Sequence, residues 1–572
     1  MDPANGPVVD MLNEIADILE ITGSDRFRPL AYRRASRTIE ALPKPISAYI
    51  AEGSVSELAG VGEAITAKIK EFTTTGRLEY LENLRKSIPH GLLDMLKLQD
   101  VGPKTAGRLF AELRVTNIDE LEKACREHRV RVLRGFGEKT EEKILQSIEF
   151  YRSSGGRFLL AEADEVASML IGHLEKHAER ILPAGSLRRR RETVGDIDII
   201  ASSSAPERIM DAFVSMPEVR TVLSKGDTKS SAVLKNGIQV DLRVVPGESF
   251  GAALMYFTGS KDHNVILRTI SIDRGYKLNE YGLFSREEGT AVAGRSEEEI
   301  YAALSLQYIH PELREARGEI EAASANRLPV LVEEGDIRGD MHCHTDWSDG
   351  SSTLEEMVAT AEKRGYQYIG ITDHSKSEKV ANGLPVERMD RQIERIHALN
   401  DSHRFRTKVL VGSEVDILPD GRLDYDNDVL SRLDFVVGSI HSRFNMEKKE
   451  MTERLLTALS NPHLTIFGHP TARQIGKREA ISFDADAVFG AVAANDVFLE
   501  VDGSPERLDL NDSLIIEAKK HGCGFMLDSD AHHHSSLSNM RYAVAMARRG
   551  WLEKLDVRNT QDTEHMLKML RA

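Results

Sequence analysis

Apolar positions change their spacing three times along the chain. Residues 8–150 carry them at helical intervals, as in VVDMLNEIADILEI and LAYRRASRTIEAL, with few breakers. Within this stretch a local pattern recurs as LAGVGEAITAKIKEF (58–72), LQDVGPKTAGRLFAEL (98–113) and LRGFGEKTEEKILQSI (133–148). Each copy reads as an apolar residue, a Gly-x-Gly turn and an amphipathic helix bearing lysines. From about 160 to 245 the pattern is mixed, with a helix in ADEVASMLIGHLEKHA followed by strand-like DIDIIAS, SAVLKNG and IQVDLRVV. Residues 250–318 are more mixed still, and 319–336, with Pro329 and Gly335, read as a linker. In the last third seven short apolar runs end in polar residues: GDMHCH, YQYIGITDH, KVLVGSEVD, DFVVGSIH, LTIFGHP, VFLEVDG and GFMLDSDAH. Buried parallel strands with functional residues at their C-terminal ends read this way, and seven repeats predict a distorted or open (β/α)7 barrel. The expected chain is multidomain: helical segments 1–85 and 86–152, an α/β segment 153–245, an α+β segment 246–318, the linker, and the barrel over 337–572.

Composition narrows the class. A chain of 572 residues exceeds what one core supports. Its 41% hydrophobic and 29% charged residues are those of a globular protein. The opening MDPANGPVVD lacks the regions of a signal peptide, and no apolar run has membrane-spanning length. Three separated cysteines, Cys125, Cys343 and Cys523, form no CxxC pair, which fits a reducing cytoplasm and no disulfide framework. The net charge of −16 argues against nucleic acid by itself. Residues 331–572, however, hold 41 acids against 30 bases, a net of −11, which leaves only −5 to the first 330. A DNA partner therefore has to be argued from motifs.

The ends of the C-terminal runs carry His342, His344, Asp349, His374, Glu414, His441, His469, Asp530 and His532. HxH on a strand places both imidazoles on one face. Nitrogen and carboxylate ligands suit Zn2+, Mn2+ or Fe2+, and nine exceed one tetrahedral shell, so two or three ions are expected. Lone histidines such as His397 or His463, and the tail His533 and His534, read as ordinary surface or core residues.

A second constellation lies in GSLRRRRETVGDIDII, which runs from Gly185 and Ser186 to Asp196 and Asp198. D-x-D on a strand aims both carboxylates one way, and Asp241 follows on the neighbouring apolar strand. Three such carboxylates can hold two Mg2+ or Mn2+ ions for in-line phosphoryl transfer. The Gly-Ser turn at a helix start offers N–H groups to a triphosphate, and Arg189 adds a charged fork. The run of four arginines, taken alone, reads as solvated surface. In the N-terminal hairpins, glycines allow close approach of backbone to a phosphate, which marks Gly60, Gly62, Gly102, Lys104, Gly135 and Gly137 as phosphate contacts that read no base sequence.

Two families share these motifs. HCHTDWSDG, TDH, GSIH with GHP, and DSDAH resemble the four motifs of the polymerase-and-histidinol-phosphatase (PHP) family over about 336–570, and all nine ligand positions are present. The resemblance implies metal-assisted phosphoester hydrolysis, as a 3′–5′ exonuclease and with abasic-site incision as a further activity. GSxRR, GDxD, VDLR and YFTGS (256–260) are similar to family X DNA polymerases, of which DNA polymerase beta is the familiar member. That resemblance makes Asp196, Asp198 and Asp241 the catalytic metal ligands and places Gly185, Ser186, Arg189 and Gly195 on the triphosphate. It gives Tyr256, Phe257 and Gly259 to the sugar-side wall, and Asn264 and Arg268 to the base and template side. Lys261 and His263 depart from the beta-type pattern. The helical segments become helix-hairpin-helix DNA grips, 153–245 the palm and 246–318 the thumb. Lys68 matches the beta-type lyase lysine, and Tyr32 matches too, whereas Arg28 and Ala64 differ. Lys68 is thus either a Schiff-base residue or a phosphate contact.

The expectation is a monomeric gap-filling repair enzyme acting on gapped or primer-template DNA with deoxynucleoside triphosphates. Its rivals are a small-molecule phosphatase in the PHP part, or a DNA-end scaffold with degenerate sites.

Overall fold

A computed structural model describes residues 5–570, except 24–26, 41, 43, 59, 90, 97, 99–100, 155–156 and 477. Residues 1–4 of the opening, and Ala59, Gln99 and Asp100 of the hairpin repeats, lie outside the described residues. The N-terminal part is helical. Gly6–Ile21 packs on Phe27–Glu40, followed by Glu63–Thr75, Pro103–Leu113, Ile118–Arg126 and Glu138–Ser154 among others. Apolar side chains from Val8 to Ile148 form one cluster, so the two expected helical segments share a core. A Cβ at Gly107 would lie 2.4 Å from the Ile21 carbonyl oxygen, which lets the helix Pro103–Leu113 seat directly on the first helix.

Of the three hairpin copies the middle one reads Asp-Val-Gly, so Gly-x-Gly describes only two. Gly60 and Gly135 adopt φ of +82° and +84°, which side chains disfavour. Gly62 and Gly102 cap the following helices in extended conformation. A Cβ at Gly62, Gly102 or Gly137 would meet nothing within 4 Å, leaving open space in front of each turn.

The palm is a five-stranded mixed sheet, ordered Arg180–Pro183, Asp196–Ser202, Gln239–Val245, Lys229–Leu234, Val219–Lys225. Helices Leu160–Leu174 and Pro206–Val214 cover it, burying Leu170, Leu174, Ile209 and Phe213 against Ile197, Ile199 and Leu242. The thumb combines helices Phe250–Thr258 and Lys261–Asp273 with a small antiparallel sheet, Tyr276–Asn279, Gly282–Ser285 and Ala291–Ala293.

Residues 319–336 are not a free linker. Glu319 opens a helix to Ser324 and is fully buried, and Val332 N–H donates to the Leu552 carbonyl at 3.0 Å. In the last third the expected strands are parallel and in the expected order. They form one sheet of three strands, beginning at Gly339–Asp340, and one of five, ending at Gly524–Asp528. Parallel bridges, His374 with Glu414 and Cys343 with Ala531, join the two sheets at the level of the expected metal ligands.

Candidate metal centres

Strand register builds the palm site. Asp196–Ser202 runs parallel to Gln239–Val245 with Asp198 paired to Asp241, so side-chain alternation brings all three aspartates to one face. Gly185 has φ +61°, and a Cβ there would stand 2.4 Å from Asp198 Oδ2, so only glycine lets the turn approach the carboxylate. Burial first, and then the charges of Asp196 and Asp241, push the Asp198 carboxyl up to about 7. Asp241 is held below the ordinary range: burial opposes ionisation, but Lys229 Nζ at 2.7 Å outweighs it. The three carboxylates do not form one of the groups whose oxygens all lie within 4.8 Å of one another among the described residues. Clustered carboxylates at the mouth of a cavity, two of them raised by burial and by their neighbours' charge, favour bound cations, and this donor set fits divalent magnesium or manganese.

Beside them lies a cavity of about 560 Å3 lined by Gly185, Ser186, Arg189, Tyr256, Phe257, Gly259, Asn264 and Arg268. Gly195 is not among its lining residues and instead packs beside Arg157, whose Nη1 would be 3.4 Å from an added Cβ. The Asn264 amide donates to the Tyr256 carbonyl at 2.7 Å and so ties the two thumb helices together. His263 leaves the cavity altogether. It is fully buried, with Nδ1 2.6 Å from Glu319 and Nε2 2.8 Å from the Tyr301 hydroxyl.

The four arginines are not solvated surface. Arg188 pairs with Glu297 at 2.6 Å, Arg189 with Glu315 at 3.1 Å, Arg190 with Asp164 at 2.5 Å and Arg191 with Glu315 at 3.5 Å. Arg189, expected on the triphosphate, lines the cavity but also donates to the Thr258 carbonyl.

The C-terminal site surrounds a cavity of about 460 Å3. Three groups of ligand atoms each lie within 4.8 Å: His344, Asp349, His374 and His532; His342, His344 and Asp530; His374, Glu414 and His441. His344 and His374 are shared between groups, and His469 joins through Nε2, 2.8 Å from Glu414. All nine expected ligands are thereby brought together. Nε2 of His342 and both ring nitrogens of His344 are buried without a hydrogen bond, although carboxylate oxygens lie 3.3 to 3.8 Å away. Orphaned nitrogens among carboxylates fit divalent cations. Burial first, then neighbouring His532 and His374, lowers His344 to about 3, the neutral state a metal ligand requires. His469 and Asp530 have φ of +24° and +48°, unfavourable for non-glycine residues, and both strained positions are ligands.

Orienting groups were missed. His342 Nδ1 lies 2.6 Å from Glu500, and His441 Nδ1 lies 2.5 Å from Asp416, each leaving Nε2 for the cavity. Glu500 sits on VFLEVDG, the single run of the seven to which no ligand had been assigned, and that gap was the signal for it. Arg478 and Arg507 add positive charge to the cavity wall.

Lys68 is exposed. Its Nζ donates to the Ala64 carbonyl at 3.2 Å and stands 4.6 Å from the Tyr80 ring centroid. Tyr80 stacks on Tyr32 and accepts from Arg28 at 3.4 Å. Lys104 is exposed on the first turn of its helix, beside Gly102.

Known proteins match these parts in order. The chain matches the helix-hairpin-helix domain over residues 3–78 and the SAM-like helix-hairpin-helix tandem over 92–149. It matches the DNA polymerase beta thumb over 253–315 and the PHP domain over 340–504. It is 39% identical to the DNA polymerase/3′-5′ exonuclease PolX of Bacillus subtilis, covering 98% of this chain and 99% of that one. Rat DNA polymerase lambda is 24% identical over 54% of this chain and 56% of its own length. Human DNA-directed DNA/RNA polymerase mu is 27% identical over 54% of this chain and 69% of its own.

Proposed function

The chain belongs to the family X DNA polymerases that carry a C-terminal PHP domain, and on that premise we propose how its two centres divide the work on DNA. The palm extends a primer across short gaps during base-excision repair. Asp196, Asp198 and Asp241 would hold Mg2+ or Mn2+, which would supply positive charge to offset that developing in phosphoryl transfer. Ser186 and Arg189 grip the triphosphate, Tyr256 and Phe257 wall the sugar, and Arg268 faces the base side. The hairpin turns at Gly60, Gly62, Gly102, Gly135 and Gly137, with Lys68 and Lys104, hold backbone phosphates without reading bases.

The PHP centre removes nucleotides from a 3′ end, with incision at abasic sites as a second use. Two or three Zn2+, Mn2+ or Fe2+ ions held by its nine ligands would polarise the phosphoester and supply the nucleophile. Glu500 and Asp416 orient His342 and His441, and Arg478 and Arg507 hold the phosphodiester against the cavity wall. Lys68, beside Tyr80, serves a 5′-deoxyribose phosphate, as a lyase or as its phosphate contact. The enzyme works as a monomer in the cytoplasm. No helix of the described residues is long and apolar enough to cross a membrane.

The observation that carries the reading is the parallel register of Asp198 with Asp241 against the Gly185 turn, in a chain that also gathers nine PHP ligands. The test is a gapped, primed duplex with Mn2+. Asp196→Ala abolishes extension and spares degradation, while His344→Ala does the reverse. Loss of both activities from either change would mean one shared centre and end the two-site reading.

A further inference from the structure

The hydrolase domain reaches into the polymerase site through one side chain. Arg549 ends the helix Met540–Arg549 of the PHP domain and is only 3% exposed. Its Nη1 donates to the Arg189 carbonyl at 2.6 Å and to Glu315 Oε1 at 3.0 Å, and its Nη2 to Asp512 at 2.5 Å. The same Glu315 oxygen accepts from Arg189 Nε at 3.1 Å. Arg189 in turn holds the Thr258 carbonyl, and its guanidinium would lie 3.1 Å from a Cβ on Gly259. The hydrolase helix therefore touches a wall residue of the nucleotide cavity directly, through the Arg189 carbonyl, and reaches its side chain through Glu315. The exchange is reciprocal, because thumb Arg317 reaches hydrolase Asp512 at 3.1 Å.

We infer that Arg549 is a positioning residue for the polymerase reaction, supplied by the hydrolase domain, which sets how firmly Glu315 holds Arg189 and so how available that guanidinium is to an incoming triphosphate. The inference rests on the polymerase reading above. Its physical basis is competition for one acceptor. While Arg549 shares Glu315 Oε1, part of that carboxylate's charge is satisfied from the hydrolase side. Without Arg549, Arg189 becomes the nearer partner of a buried carboxylate and is withdrawn from the anionic ligand. The 2.6 Å bond to the Arg189 carbonyl also fixes the backbone from which that side chain leaves.

The test is single-nucleotide gap filling by the full chain, with KM for the nucleotide and kcat measured separately and exonuclease activity as the control for folding. Arg549→Gln should raise KM about tenfold, the worth of one charge-assisted hydrogen bond, with little change in kcat or degradation. Adding Glu315→Gln should bring KM back toward wild type, because the competitor for Arg189 is then gone. Arg549→Lys, which can serve Glu315 but cannot fork to Asp512 and the Arg189 carbonyl, should fall between. Should Arg549→Gln also lose degradation, Arg549→Lys is read instead, and an unchanged KM there counts against the inference. An unchanged KM in Arg549→Gln, or a double variant no better than the single, overturns the inference while leaving the polymerase reading intact. Wild-type protein that extends nothing overturns that reading instead.

Discussion

Gly185 shows how much one residue carries. Its φ of +61° and the 2.4 Å that would separate an added Cβ from Asp198 Oδ2 exclude every side chain. Alanine there must move either the turn that faces the triphosphate or the carboxylate that holds a metal. A misplacement of about 1 Å at a reacting centre costs on the order of 100-fold in rate, so Gly185→Ala should lower gap filling by about that factor. Degradation of single-stranded DNA by the same preparation should be unchanged. Extension within twofold of wild type would show that the close approach has no catalytic consequence. The three aspartates were readable from the chain because alternation along a strand settles which face a side chain takes, and the nine PHP ligands because they recur at or just beyond the ends of successive apolar runs. Partners were not readable. Arg189 meets Glu315 126 positions away, and Arg549 meets Arg189 360 positions away, so no local pattern encodes either pairing. His263 was legible only as a departure from pattern, and its burial between Glu319 and Tyr301 depends on two thumb segments brought together by folding.

Among elements, the junction of palm and thumb turns on the short helix Glu297–Ala303. Glu297, 4% exposed at its first turn, accepts from Arg314 Nη1 at 2.6 Å and pairs with Arg188 at 2.6 Å. Burial pushes its carboxyl up, yet the charges of Arg314 and Arg188 win and hold it at about 2, against an ordinary 4.5. A depressed folded-state value means the contribution is complete above the ordinary value and is lost as pH falls toward about 2. Glu297→Gln should therefore destabilise the protein by about 3 kcal/mol at neutral pH, because it leaves two arginines short of a buried counter-charge. The gap in melting temperature between the two proteins should stay level down to about pH 5 and narrow below it. A gap that stayed constant to the lowest pH at which both remain folded would mean the carboxylate's charge is not what stabilises the junction. Apolar spacing predicted the helices and strands here and elsewhere, because burial imposes those periods directly. It read 319–336 as a linker because the contacts that pin it, such as Val332 on Leu552, come from the far end of the chain. It also suggested a distorted or open barrel, but not where the ladders break, since a run of short parallel strands reads the same whether neighbouring strands form full ladders or only bridges.

At the scale of the whole molecule, the packing divides the chain differently from its functions. The helical N-terminal part has an apolar cluster from Val8 to Ile148 that takes in thumb Val265 but neither the palm nor the hydrolase. Palm and hydrolase side chains fall in a single cluster, with palm residues such as Leu170 and Ile199 and hydrolase residues such as Val358 and Leu527. Ion pairs tie the hydrolase to the palm and also to the thumb. Arg473 meets Glu192 at 2.7 Å, Arg548 meets Glu312 at 2.8 Å, and Arg549 meets Glu315 at 3.0 Å. The two catalytic halves should therefore melt together, and the DNA-gripping helices apart from them. A metal held at the PHP ligands binds only the folded state, so it should stabilise palm and thumb as well, although it touches neither. Calorimetry of the manganese-loaded protein should resolve two transitions. His344→Gln should lower the joint one by about 1–2 °C, the effect of one to two kcal/mol in a unit of this size, and leave the helical one in place. Limited proteolysis at the intermediate temperature should then release the N-terminal helices while palm and hydrolase survive as one resistant piece. If the palm instead melted with the helices, and His344→Gln shifted only a separate hydrolase transition, the shared core would not couple the halves. The route through Arg549 would then have to act without cooperative unfolding behind it.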